Sequence, residues 1–293
     1  MIIGVNYNTV SVLGASPGDM IDPGVGADWV RVVLRQGPGA AKVVKFCKET
    51  RAAGGHILGV VALESLIEGR EFDRNISELA RIYTSCVDEV QAGNEPDHES
   101  PSSWTLSPQR LNELVEAVSG EFGRPVWLGG LVSGQPSYLE EVMKANVSHV
   151  AIHPYGQRVD GFPHDGWGHG EITDLVAAYR SYLPKKTKIV VTEFGDPNKD
   201  FASEIQRAEY VTRMLQKLYD LKVEAAFVFA YHDDVEGFGL VDADGSPRVS
   251  YHSFYALAKY LTPKKVAVTD NSSDIKQLLQ EIKIRVVKIE ELL

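Results

Sequence analysis

The chain has 293 residues, 44% of them hydrophobic and 24% charged, with a formal net charge of −10. Such a composition belongs to a globular protein long enough for one large domain or two small ones. The acidic balance, with no Lys/Arg cluster, argues against a nucleic-acid partner, and no apolar run reaches the roughly 18 residues needed to cross a bilayer, so no membrane partner is expected.

Ile2-Ile3-Gly4-Val5-Asn6 reads as a strand, with no charged or apolar leader segment before it. A signal removed earlier, export by another route and residence inside the cell all fit this start; the first would place the protein's action outside the cell. Cys47 and Cys86 are too few for a disulfide framework or a cysteine zinc site. They read as small buried hydrophobes on helices.

From the N-terminus onward, short Val- and Ile-rich runs alternate with helical stretches, the pattern of repeated βα units around a parallel sheet. The runs cover 2–7, 29–34, 57–63, 87–93, 126–132, 149–155, 188–194 and 225–231. Most are near-continuously apolar, as strands buried on both faces should be. The fourth is weaker, because Asp88, Glu89 and Gln91 interrupt it. Helices are expected over 40–54, ending at Gly54-Gly55, and over 76–86. The next opens with Ser107 as N-cap and Pro108 in the first turn. Others follow over 172–183, 202–221 and 250–261. Eight strands, each followed by a helix or loop, predict a (β/α)₈ TIM barrel over 1–263. A doubly wound open sheet fits less well, since the first turn, NYNTVSVLGASPGD, lacks a G-x-G-x-x-G motif.

Beyond Pro263 a polar link, 264–274, leads to an amphipathic helix over 275–293. Apolar residues at 275, 279, 282, 286, 289 and 293 form a heptad seam. Leu279 at an a position with Ile at the d positions predicts a homo-trimer or tetramer; the alternative is a helix lying back on the barrel.

In such a barrel, polar groups at the C-terminal strand ends face the active site. Strand two carries Arg31, strand four ends Gly93-Asn94-Glu95-Pro96, and strand six ends His153-Pro154-Tyr155. Strand seven ends Thr192-Glu193-Phe194-Gly195, and strand eight ends Tyr231-His232-Asp233-Asp234. Glu95 and Glu193 therefore face each other across the barrel mouth. A glycosidic bond is cleaved by such a pair, one carboxyl neutral to protonate the leaving oxygen and one ionised to attack or stabilise the sugar cation. Arg31 supplies a fixed positive charge that keeps one of them ionised.

These residues resemble clan A glycoside hydrolases, barrel enzymes that include endoglucanases, mannanases, xylanases and β-xylosidases. Asn94-Glu95-Pro96 matches their acid/base motif, and Thr192-Glu193-Phe194-Gly195 resembles their nucleophile strand. Arg31 matches their strand-two arginine, His153 and Tyr155 their strand-six His-x-Tyr, and 237–254 resembles their last loop. The likeness covers roughly 2–262. It implies a retaining β-glycosidase acting on a polysaccharide or oligosaccharide, with Glu95 as acid/base and Glu193 as nucleophile. Tyr155 would bond the nucleophile, and Arg31 would help hold it. Two positions differ from the family pattern: strand three ends without a histidine, and strand eight carries Tyr231-His232 where a sugar-stacking tryptophan is usual.

Arg31, Asn94, His153, Tyr155, Tyr231 and His232 are the expected substrate-binding residues, joined by Trp167 in the loop HDGWGHGE. Trp104, Tyr138 and Phe162 stand in neighbouring loops, while Trp29 and Trp127 read as core. Short loops suggest an open groove and endo action. No cofactor and no catalytic metal are expected: strand one reads VNYN rather than carrying an H-x-H pair. Asp233 and Asp234 could hold Ca²⁺, although a solvated turn fits them better. A transglycosylase on the same residues and a non-catalytic carbohydrate-binding barrel are the alternatives; the second would be expected to have lost one of the two glutamates.

Overall fold

Strands β1 (Ile2–Tyr7), β2 (Ala27–Val33), β3 (His56–Val61), β4 (Glu89–Ala92), β5 (Val126–Leu131), β6 (Val147–Ile152), β7 (Lys188–Phe194) and β8 (Ala225–Val228) pair in chain order and close into a barrel. Every pairing is parallel, including β8 on β1. The computed structural model describes residues 1–7, 20–21, 27–62, 72–97, 106–132, 139–142, 147–162, 170–233 and 237–262. The expectations for Trp104, Tyr138, Trp167, Asp234, the link 264–274 and the helix 275–293 lie outside the described residues.

Helices α1 (Ala40–Ala52), α2 (Phe72–Tyr83), α3 (Pro108–Phe122), α4 (Leu139–Val142), α5 (Ile172–Tyr182), α6 (Glu204–Asp220) and α7 (Val249–Leu261) alternate with the strands. Their ends follow the local chemistry. Ser107 accepts the Arg110 N–H at 3.2 Å and Pro108 opens α3, while Gly123 closes it at φ 65°. Ser203 caps α6 through the Gln206 N–H. The short α4 was not visible as a helical pattern. Cys47 lies on α1 as expected, whereas Cys86 falls in the turn after α2 ends at Tyr83; both are buried and free.

The lower half of the barrel lumen is filled by a small apolar cluster around Trp127 and Phe227. Trp29 stacks on Trp127 at 6.5 Å between centroids. Gly4 makes room for this filling, since a Cβ there would stand 2.6 Å from the Phe227 ring. Burying Phe227 contributes about 1.5–3 kcal/mol. The lumen is thus plugged by this cluster, with His149 against its lower side and Asn6, Arg31, Gln91 and Glu193 together above it.

The polar residues of the fourth strand have specific partners. Asp88 accepts the Ile57 N–H at 2.8 Å, tying β4 to β3. Gln91 is fully buried and turns into the lumen, where it meets Arg31. Strands β4, β6 and β8 stop earlier than the apolar runs suggested, at Ala92, Ile152 and Val228. Asn94, Glu95, His153, Tyr155 and the residues after Val228 therefore stand on the loops that rim the barrel mouth.

Candidate active site

Arg31 projects from β2 and is 4% exposed. Its Nη1 donates to Glu193 Oε1 at 2.5 Å and to Asn6 Oδ1 at 2.6 Å. Its Nη2 donates to Asn94 Oδ1 at 2.6 Å, and its Nε to Gln91 Oε1 at 3.0 Å. Two of these acceptors are themselves fixed: Asn6 donates to the Thr192 carbonyl at 2.8 Å, and Gln91 to the Gly93 carbonyl at 2.9 Å. A guanidinium presents its donors in a rigid fork, so four acceptors on β1, β4 and β7 and at the end of β4 fix its direction.

Glu193 owes its position to an irregularity. The β7–β8 register shifts between Val191 and Phe194, and Glu193 lies inside that interval. Such breaks re-aim a side chain that regular alternation would send elsewhere. Glu193 Oε2 accepts the Tyr155 hydroxyl at 2.6 Å. Burial alone would raise the Glu193 carboxyl; the charges of His153 and Arg31, with hydrogen bonds from Tyr155 and Arg31, outweigh it and hold it below the ordinary carboxylate range. Burial, then the Glu193 charge, push the Tyr155 phenol well above its usual value, so it stays protonated and donates.

Glu95 has different surroundings. Its backbone sits at φ 48°, in the left-handed region that non-glycine residues seldom occupy, and its N–H donates to the Gly129 carbonyl at 3.1 Å. Its side chain is 24% exposed against 8% for Glu193. Oε1 lies 2.8 Å from His153 Nδ1, and the other ring nitrogen lies 3.0 Å from Thr192 Oγ1. Gly130, at φ 71°, leaves the space His153 occupies, since a Cβ there would collide with the imidazole.

A carboxylate oxygen of Glu95 and one of Glu193 lie within 4.8 Å of each other, with His153 between them. Among the described residues these three side chains form the group that could hold a metal ion. The close Arg31 guanidinium opposes a second cation there, and His153 Nδ1 is already engaged with Glu95.

Glu95, Glu193, Arg31, Asn94, His153 and Tyr155 lie together at the barrel mouth, whereas the end of strand eight differs from the expectation. Phe229, the residue after β8, puts its ring 6.4 Å from Tyr155 at 90°, and Phe238 packs on both. Tyr231 is instead turned into the core, edge-on to Tyr251 at 6.4 Å, and His232 forms a backbone bridge with Val241. Counting from Tyr231 placed the strand end too late by the length of a bend. Asp233 accepts the Gly237 N–H and pairs with Arg248 at 2.6 Å, so it serves to fold the last loop. Asn6, Gln91, Thr192 and Gly130 were missed. The available signals were an Asn and a Gln inside buried strands and a Gly-Gly pair at the end of β5.

No protein-family profile matches the sequence, and no curated protein does. Solved structures do share the fold. A GH128 (subgroup II) endo-β-1,3-glucanase from Sorangium cellulosum superposes with a TM-score of 0.67 at 17% identity, over 91% of this chain and 100% of that one. A GH5_18 protein from Bifidobacterium longum subsp. infantis gives 0.67 at 17% identity, over 91% and 80%. A GH128 (subgroup I) endo-β-1,3-glucanase from Amycolatopsis mediterranei, in complex with laminaritriose, gives 0.59 at 17%, over 87% and 98%. At that identity the likeness is one of fold: this chain has the (β/α)₈ barrel those proteins have.

Proposed function

We propose that the chain is a retaining β-glycosidase that cleaves a polysaccharide or oligosaccharide by double displacement. The observation that carries this reading is the carboxylate pair: oxygens of Glu95 and Glu193 within 4.8 Å, in unlike surroundings. Retaining enzymes hold the two carboxyl groups about 5–5.5 Å apart, whereas inverting ones need roughly 6.5–9.5 Å to admit a water molecule. A nearest approach within 4.8 Å fits the shorter spacing.

Glu193 is suited to attack. It is buried, and Arg31 and Tyr155 stabilise its negative charge, so it meets the anomeric carbon as an anion. Glu95, more open to the mouth, protonates the glycosidic oxygen as the carbon–oxygen bond breaks, and the aglycone leaves with that proton. Glu95, now ionised, takes a proton from water, whose oxygen attacks the anomeric carbon and frees Glu193. Asn94 gives its carbonyl oxygen to Arg31, which leaves its amide N–H groups for a sugar hydroxyl. Phe229, beside Tyr155, offers an aromatic wall for the sugar. Trp167 and His232 complete the proposed binding set. The structures that share the fold include endo-β-1,3-glucanases, which favours endo action and makes β-1,3-glucan the first substrate to try.

The test is hydrolysis of β-1,3-glucan, mannan, xylan and cellulose, with products sized over time. A ladder of oligosaccharides from one polymer is the expected result. Release of monosaccharide alone would contradict endo action, and failure on every polymer and on aryl β-glycosides would contradict glycosidase activity.

A further inference from the structure

Two arginines are buried in the described part of the chain, Arg31 in the site and Arg207 outside it; Arg207 is fully buried. Burying a guanidinium is costly unless its donors are satisfied in good geometry. Arg207 meets that condition almost entirely with backbone carbonyls. Its Nε donates to the Asp196 carbonyl at 3.1 Å, its Nη1 to the Gly239 carbonyl at 3.0 Å, and its Nη2 to the Phe238 carbonyl. Nη1 also reaches the Ser250 hydroxyl at 2.9 Å. The nearest carboxylate, Glu204, stands farther off at 3.6 Å.

The carbonyls belong to two different rim loops. Asp196 follows the Glu193 strand, and its carboxylate accepts the Gly156 N–H at 3.3 Å, next to Tyr155. Phe238 lies on the loop after β8, and its ring is 6.0 Å from Tyr155 and 5.4 Å from Phe229. One turn along the same face of α6, the Tyr210 hydroxyl donates to the Gln157 carbonyl at 3.0 Å, on the loop after β6. One helix face therefore grips all three loops that surround the Tyr155–Glu193 hydrogen bond. Charge-assisted bonds are short and directional, so they hold the loops at fixed distances where apolar packing would let them slide.

We propose that Arg207 is a positioning residue of the catalytic site, which fixes the Asp196 and Phe238–Gly239 backbone and thereby aligns Tyr155 on Glu193. This rests on the reading of Glu193 as nucleophile. Arg207 touches no substrate, so its loss should leave KM nearly unchanged. Without alignment, Tyr155 ceases to stabilise the Glu193 anion, and the carboxyl drifts up toward the ordinary range. Both kcat and the acidic limb of the pH profile should then move, and an arginine serving only stability would move neither in the folded enzyme.

The experiment measures kcat, KM and the pH profile of full-length Arg207→Met, Arg207→Lys and Phe238→Leu on an aryl β-glycoside, beside their melting temperatures. For Arg207→Met the expected result is a roughly 10- to 100-fold loss in kcat, KM within about 3-fold of wild type and an acidic limb at higher pH, with Arg207→Lys partly restored. Folded Arg207→Met with wild-type kcat and acidic limb would overturn the proposal. If Arg207→Met does not fold, Phe238→Leu decides: it removes the ring behind Tyr155 without disturbing the guanidinium, and unchanged kcat and acidic limb would overturn the proposal equally. Glu193→Ala separates the two levels. If it is inactive while the other variants behave as wild type, only the role of Arg207 fails; if it is fully active, the nucleophile assignment fails.

Discussion

His153 Nδ1 lies 2.8 Å from Glu95 Oε1, and the same nitrogen is 3.7 Å from Glu193 Oε2. One imidazole thus borders both carboxyl groups, and its other nitrogen faces a hydroxyl, Thr192 Oγ1, that can donate or accept. That hydroxyl lets the ring keep both hydrogen bonds whichever way the proton shared with Glu95 lies. His153→Ala should lower kcat/KM by about 10- to 100-fold on substrates with poor leaving groups, which need proton donation, and by much less on dinitrophenyl glycosides. Gly130→Ala should act in the same direction, because its methyl would push into the imidazole from a backbone at φ 71°. That variant should also lose about 1–3 kcal/mol of stability. Steady-state kinetics on the two leaving-group classes check both, and a wild-type kcat for Gly130→Ala would contradict the role given to His153.

Tyr155→Phe removes one donor from the Glu193 carboxylate. The carboxyl, now held below its ordinary range, should rise, and because attack needs the anion, activity should fail at a higher pH than in wild type. The acidic limb of kcat/KM moves up, and the activation barrier at the optimum rises by about 1.5–3 kcal/mol, the usual worth of a hydrogen bond to a charged group. A pH–rate profile with an unmoved acidic limb would contradict this.

How much of this was legible in the sequence depended on what each residue does. Glu95, Glu193, His153 and Tyr155 sit at strand ends in motifs whose spacing survives small errors in the strand limits. Phe229 did not stand out, because it follows β8 directly and looks like one more apolar strand residue; only the bend after Val228 brings it to Tyr155. Asn6 and Gln91 were hidden for another reason. Their role is to orient Arg31, a contact between residues 25 and 60 positions apart that no local pattern encodes. The bulge that turns Glu193 into the mouth is likewise a property of two strands together.

At the opposite end of the barrel, His149 packs against Trp127 with ring centroids 4.6 Å apart. Burial, then the charge of Lys188, hold its pKa down to about 4. The unfolded chain takes up that proton near pH 6.5. Between these values the unfolded state binds more protons, so stability is full above about pH 6.5 and falls as pH drops toward 4. The ring is partly open to water, which reduces the effect to about 1 kcal/mol. Urea midpoints at pH 7 and pH 4.5 should differ less in His149→Gln than in wild type. An equal pH dependence in both would remove His149 as a cause.

The heptad seam over 275–293 predicts self-association. Light scattering should give a trimer or tetramer for the full chain and a monomer for a version ending at Pro263, with activity per site unchanged. Two monomeric masses would contradict an oligomerising tail.

The division of labour between the two glutamates is tested most directly by the configuration of the azide products formed by Glu95→Ala and Glu193→Ala. With dinitrophenyl β-glycosides, Glu95→Ala should still form the covalent intermediate, since that leaving group needs no proton, and azide should then speed turnover and give the β-glycosyl azide. Glu193→Ala should be inactive alone, and azide should attack from the vacated face to give the α product. Nuclear magnetic resonance of the two products distinguishes the outcomes. The expected result is β from Glu95→Ala and α from Glu193→Ala; the reverse pair would exchange the two roles, and release of inverted sugar by the wild-type enzyme would contradict the retaining mechanism itself.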